Sequence, residues 1–233
     1  MSKFFRRFLG TVAGGTAALT LAVKPRISRK PDMHEIERYD YANHGFTGRD
    51  GKLAKDSPEA FQAAIDHGYG IRTKVQSDRQ LKETLDLIDG QVPVILTVEP
   101  EKQNLYRFCE KLFHVLDEYE GVFAIDSINP QVLNFFRTQR EEYIRGQILD
   151  SSYTTDYSFL GQLSDFAVRN LLMNFRTQPD FISCSMNDRK KFSLRLCRLV
   201  YRVHIADFVV RDIHEYEDVR CDGQIVIFED MEP

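Results

Sequence analysis

Two short runs place charged side chains at strand spacing. Arg72 and Lys74 flank Thr73, and Thr97 and Glu99 flank Val98. In an extended chain, residues two apart point to the same face. Arginine suits phosphate through its planar fork of donors. Arg72, Lys74 and Arg145 together would make an anion pocket for a phosphate or a lipid head group. Glu99 and Asp126 are the acids that could instead consume that positive charge, and both readings stay open. His44 is the one candidate base, against the plainer reading of a loop histidine at a strand end; His67 and His114 read as helix-surface residues. Ser183, Cys184 and Ser185 lie in a strand-like run with no base nearby in sequence, so they do not make a triad. Cys109, Cys184, Cys197 and Cys221 form no CxxC pair and none sits near a histidine at ligand spacing, which argues against a structural zinc site. Three of the four fall in apolar runs, so they read as buried reduced thiols.

The elements that must position these residues alternate along the chain. Strand candidates are Asp40–Asn43, Gly70–Val75, Val92–Glu99, Val122–Ile128, Tyr143–Leu149, Asp180–Met186, His204–Val210 and Gly223–Glu229. Helical patterns fill the gaps. Ser57-Pro58 and Asn129-Pro130 are cap-and-proline starts. Leu81, Leu85 and Ile88 form one stripe, and Leu105, Phe108, Cys109, Leu112, Phe113 and Leu116 a stronger one. Further helices are expected near 159–175, 190–202 and 212–219, and Asp150–Tyr157 reads as a loop. This order predicts an α/β fold, a (β/α)8 TIM barrel of minimal size. No eighth helix follows Glu229, and the apolar N-terminal segment or a partner is expected to cover that gap. The alternative is an open doubly wound sheet, for which there is neither a GxGxxG nor a P-loop.

The 233 residues carry a formal net charge of −4, which conceals a split. Residues 1–30 hold seven basic side chains and no acid, whereas residues 31–233 hold 24 basic and 35 acidic ones. A basic segment 1–30 and a globular domain 31–233 follow. The body has no net basic charge to favour nucleic acid. Phe8 to Val23 is a 16-residue stretch without charge. A span normally needs about 20 apolar residues, so three readings are open: a membrane anchor through residues 8–23, a cleaved signal peptide, or an amphipathic or unstructured leader. Three basic residues precede the stretch and four follow it, a balance that leans toward a cytoplasmic body.

Read strand by strand, the motifs resemble those of the glycerophosphodiester phosphodiesterase family, in particular bacterial members with one N-terminal hydrophobic segment. The segments are Tyr41-Ala42-Asn43-His44-Gly45, Asp56-Ser57-Pro58-Glu59-Ala60-Phe61, Gly68-Tyr69-Gly70-Ile71 and Val92 to Glu99. Asp126-Ser127-Ile128-Asn129-Pro130, Ile144-Arg145-Gly146-Gln147, Pro179-Asp180-Phe181-Ile182 and Ile227-Phe228-Glu229 follow in order. The resemblance covers residues 39–230 and implies an eight-fold barrel that hydrolyses glycerophosphodiesters at a calcium or magnesium ion held by carboxylates, with two histidines as acid and base.

At those positions this sequence departs from the pattern. The family's first histidine falls on Asn43 and its arginine on His44, unless the register slips by one. The paired metal acids fall on Arg72 and Lys74, the next metal glutamate on Thr97, and the lysine after it on Glu99. The excursion after the second strand, with the second histidine, is missing: only Gln76 to Gln80 separates that strand from the next helix. A hard cation needs oxygen ligands, and Arg72 and Lys74 would repel it. The resemblance therefore implies a degenerate member with no catalytic residue, metal or cofactor, which binds or scaffolds at the membrane. Its partners would be a phosphate or lipid head group, or a membrane protein. The alternatives are an active phosphodiesterase of lipid metabolism with an atypical site, and a structural subunit of a membrane protein. An ion pair of Lys74 or Arg72 with Glu99 is expected where the metal would sit.

Overall fold

The computed structural model describes residues 17–28, 30–48, 51–100, 104–152 and 159–233. Its strands are β1 (Tyr41–Asn43), β2 (Gly70–Val75), β3 (Val94–Val98), β4 (Phe123–Ser127), β5 (Ile144–Leu149), β6 (Phe181–Ser185), β7 (His204–Val210) and β8 (Ile225–Phe228). They close into one parallel barrel in sequence order, with β8 beside β1. The connecting helices are α1 (Pro58–Asp66), α2 (Asp78–Ile88), α3 (Leu105–Asp117), α4 (Pro130–Gln139), α5 (Phe159–Arg169), α6 (Phe192–Leu196) and α7 (Ile213–Cys221). A one-turn helix, Asn174–Thr177, follows α5, and a π turn, Cys197–Tyr201, extends α6.

The starts of the helices follow from their first residues. The Ser57 hydroxyl accepts from the Ala60 N–H, and Pro58 occupies the first turn, where its missing donor costs nothing. The Asn129 side chain accepts from the Gln131 N–H in the same way before Pro130. Ser77 caps α2 through the Gln80 N–H, so the chain passes from β2 to α2 through residues 76 and 77 alone. That is the missing excursion. Of the loop Asp150–Tyr157, residues 153–157 lie outside the described residues.

Alternate residues of each strand enter different cores. Inward positions in the lower half of the barrel, among them Tyr41, Ile95, Ile144, Phe181, Ile225 and Ile227, fill its interior. Two of these are large rings in a narrow space, and glycines opposite make room. A Cβ on Gly70 would lie 2.6 Å from the Tyr41 ring, and one on Gly146 would collide with the Phe181 ring. Outward positions such as Ile71, Leu96 and Ile125 pack with the apolar stripes of the helices, including Leu85, Leu112 and Phe136. The outward face of β8 is closed by rings: Phe46 and Tyr69 both stand edge-on to Phe228.

The described part of the N-terminal segment, one of the two covers expected for the β8–β1 side, lies elsewhere. Residues 17–22 form a helix that leads to Val23, which is buried with Leu149, Ile182, Cys197 and Val203 on the β5–β7 side. Arg26 anchors the segment beneath the barrel. Its N–H donates to the Pro179 carbonyl over 3.0 Å, and its guanidinium pairs with Asp180 at 3.3 Å and donates to the Glu141 carbonyl. No helix among the described residues is long and apolar enough to cross a membrane, and residues 8–16 of the candidate anchor lie outside them.

Two outward strand positions are charged rather than apolar. Arg145 shares its face of β5 with buried Leu149, while Ile144, Gly146 and Ile148 turn inward. It is fully buried, and its Nη1 donates to the carbonyls of Tyr143 and Glu141 at 2.7 and 3.1 Å, at the end of the barrel opposite the strand C-termini. Burial first, then the nearby charge of Arg26, pulls its pKa down to about 10. The expected trio of Arg72, Lys74 and Arg145 is therefore not assembled, because strand alternation sends Arg145 away from the barrel axis.

The second such residue is Asp207 on β7. It is fully buried, and Arg189 Nε stands 3.2 Å from its carboxylate. Burial pushes its pKa up to about 6 from an ordinary 3.8, against the pull of Arg189 and Arg198. A carboxyl that holds its proton more tightly when folded stabilises fully below pH 3.8 and loses that contribution as pH rises through about 6. Asp207→Asn, which keeps the shape without the charge, is thus expected to be more stable than the parent by about 1–3 kcal/mol at pH 7.5, with the gain gone near pH 4. Urea unfolding at the two pH values measures it.

Candidate functional site

Strand register brings the polar residues together at the C-terminal end of the barrel, where folds of this architecture do chemistry. Asn43 lies opposite Arg72, Lys74 opposite Thr97, and Thr97 opposite Asp126. Asn43, Arg72, Thr97 and Asp126 lie on inward positions above the apolar lower half and are all buried. They form one bonded layer across the barrel. Arg72 donates through Nε and Nη2 to a single oxygen of Asp126 at 3.2 and 3.1 Å, and through Nη1 to Asn43 Oδ1 at 3.2 Å. Its guanidinium also lies 4.7 Å from the centre of the Phe208 ring. Asp126 accepts two more bonds, from Thr97 Oγ1 at 2.6 Å and Ser183 Oγ at 2.7 Å.

Above this layer is a cavity of about 190 Å³, lined by Asn43, His44, Arg72, Lys74, Thr97 and Glu99 among others. The six sequence-predicted positions Asn43, His44, Arg72, Lys74, Thr97 and Glu99 therefore share one mouth. The expected ion pair is present: Lys74 Nζ lies 2.5 Å from Glu99 Oε2, both partly exposed. Arg72, the other cation considered for Glu99, instead turns to Asp126. Ser183, set aside in the sequence as a hydroxyl without a base, is an acceptor's partner in the buried layer.

His44 follows β1 with a left-handed backbone, φ +63°. Its Nδ1 lies 2.8 Å from Asp56 Oδ2, and Thr73 donates to the other oxygen of Asp56 at 2.6 Å. Burial works against ionisation of Asp56, but the bonds from His44 and Thr73 outweigh it and hold the carboxyl below its usual range. With Nδ1 as donor to the carboxylate, Nε2 is the ring's acceptor on a residue that lines the cavity. Asp56 was not singled out as the partner of His44. The one hint was its place beside the Ser57-Pro58 helix start, in a loop at the mouth.

The donors present do not suit a divalent cation. Each carboxylate around the mouth already has a cation or hydroxyl on it. Asp126 is held by Arg72, Thr97 and Ser183, Glu99 by Lys74, and Asp56 by His44 and Thr73. Glu229, just after β8, is held by Lys55 and Arg211, both at 2.5 Å. Among the described residues no group of three His, Cys, Asp or Glu side chains could surround an ion. A hard cation in the cavity would have to displace these internal cations and lie beside the positive charge of Arg72, which lines it.

No protein-family model matches the chain, and no curated protein matches it by sequence. Solved structures match its fold. A phosphodiesterase from Oleispira antarctica, in complex with the product sn-glycerol-3-phosphate, aligns at TM-score 0.61 and 10% identity, over 82% of this chain and 92% of its own. A glycerophosphodiester phosphodiesterase from Parabacteroides distasonis gives 0.61 and 10%, with the same coverage of 82% and 92%. That from Agrobacterium tumefaciens gives 0.52 and 10% over 83% and 96%. The fold of this chain is thus the glycerophosphodiester phosphodiesterase barrel.

Proposed function

We propose that this chain is a phosphodiesterase-like barrel without phosphodiesterase activity, and that it works by binding or scaffolding at a membrane. One observation carries the first half: the Arg72 guanidinium lies in the floor of the mouth, locked to Asp126 and Asn43. Among the described residues, an internal cation on the fully buried Asp126 leaves no oxygen cluster for a metal that would activate water. The membrane half is supported by the uncharged stretch Phe8–Val23 between basic flanks. The full chain incubated with glycerophosphocholine and calcium or magnesium is expected to release no choline above background. Turnover that a chelator abolishes would overturn the proposal.

A second reading rests on the His44–Asp56 pair, which orients an imidazole into the cavity beside Lys74. It is a hydrolase that uses a histidine base without a metal. Turnover that survives the chelator and disappears in His44→Gln would favour it.

A further inference from the structure

Charge within the body is not evenly spread. Residues 169–202 carry eight basic side chains and two acidic ones, and both acids, Asp180 and Asp188, are buried. The rest of residues 31–233 carries 16 basic and 33 acidic side chains. This basic segment runs from the end of α5 through the π turn after α6.

The same region holds apolar side chains in solvent, and they surround the place where the N-terminal segment meets the barrel. The Val23 carbonyl accepts from Asn174 Nδ2 at 3.4 Å and from Cys197 Sγ at 3.5 Å, and the Tyr201 hydroxyl donates to the Thr20 carbonyl at 2.7 Å. Within two residues of those contacts in the chain stand four exposed apolar side chains: Leu21, Phe175, Leu199 and Val200. Leu199 is 82% exposed. Arg176, Arg195 and Arg202 stand exposed among them, as does Arg198, which is paired with Asp222 at 3.5 Å. Lys191 Nζ donates to the Arg169 carbonyl at 2.7 Å and ties the end of α5 to the start of α6, so the face is one surface.

We infer that this α5–α6 corner is a docking surface for an anionic lipid bilayer. The inference rests on the membrane reading above and names the surface that reading lacks. Apolar tips ringed by arginines are the composition of an interfacial binder: the tips enter the acyl boundary while the guanidinium groups meet lipid phosphates. The uncharged stretch Phe8–Val23 enters the described structure at this same point, so anchor and surface would act on one leaflet. Pro179, Asp180 and Arg26 lie at the foot of the strands, so the cavity at the opposite end would face away from the bilayer.

The chain has no tryptophan, which makes a single introduced one a clean reporter. Leu199→Trp and, as a control on the far side of the barrel, Tyr106→Trp (67% exposed) are made in the full chain. Each is mixed with phosphatidylcholine vesicles with and without phosphatidylglycerol. Leu199→Trp fluorescence is expected to shift to the blue with the anionic vesicles only, and Tyr106→Trp to stay unchanged. Arg195→Gln with Arg202→Gln is expected to weaken vesicle binding by about fivefold per residue. If the chain sediments with vesicles but Leu199→Trp does not shift, the docking surface is wrong while the membrane reading stands. If the chain sediments with neither vesicle, both fall. A Leu199→Trp signal already blue before vesicles are added would mean that the chain covers its own patch, and would also overturn the inference.

Discussion

Asp126→Ala is expected to cost about 3–5 kcal/mol, because it leaves the Arg72 guanidinium buried with no charge partner. At this chain length that is a fall in melting temperature on the order of 10 °C. Thr97 and Ser183 would lose their acceptor as well, since both donate to the same carboxylate. The direction of the compensating change is specific. Replacing both charges with apolar side chains, as Arg72→Met with Asp126→Leu, is expected to recover much of the loss, because the cost lies in the unpaired ion more than in the absent pair. Denaturant unfolding of the two single variants and the double variant closes the cycle. A loss below about 1 kcal/mol for Asp126→Ala would show that Arg72 turns to water through the mouth, as a surface pair does.

The second large effect is expected at the opposite end. Asp180 accepts from the Arg145 N–H at 2.9 Å and pairs with Arg26 at 3.3 Å, and all three residues are buried. Asp180→Ala removes the carboxylate that pairs with the buried Arg26 guanidinium and accepts from the Arg145 N–H, and is expected to destabilise by about 3–5 kcal/mol. Arg26→Ala in the same background is expected to add little, since the partner it served has gone, and the coupling read from the four-member cycle should exceed about 1 kcal/mol. Additive losses would mean that Arg26 is held by its carbonyl contacts to Glu141 and Pro179 alone.

Much of the barrel was legible in the sequence. All eight strand candidates overlap strands of the structure, because buried parallel strands are short β-branched runs set apart by helix starts that have their own chemistry. The mouth was legible in part. Alternation along β2 and β3 places Arg72 and Lys74, and Thr97 with Glu99 beyond it, on the inward side. What alternation does not show is height. Lys74 is level with Thr97, and Arg72 is one residue pair lower, level with Ile95. From there its long side chain reaches Asp126 on β4 and leaves Glu99 to Lys74. Arg145 was misplaced because a parallel barrel strand is covered on both faces, so the alternation of Ile144, Gly146 and Ile148 with Arg145, Gln147 and Leu149 does not say which set is inside. Asp56 and Ser183 were missed because their partners lie 12 and 57 residues away, beyond the reach of any local pattern.

The seating of Arg26 also decides how the barrel bears load. A tether pulling on the N-terminal segment does not tug on β1, the three-residue strand that would be the first to peel. The tension passes at Val23 into the turns before β6 and β7, and at Arg26 into the foot of β6 and the loop before β5, strands that are each paired on both sides. A barrel fastened in this way can take a pull on its N-terminal segment while the mouth, at the other end of the strands, keeps its shape.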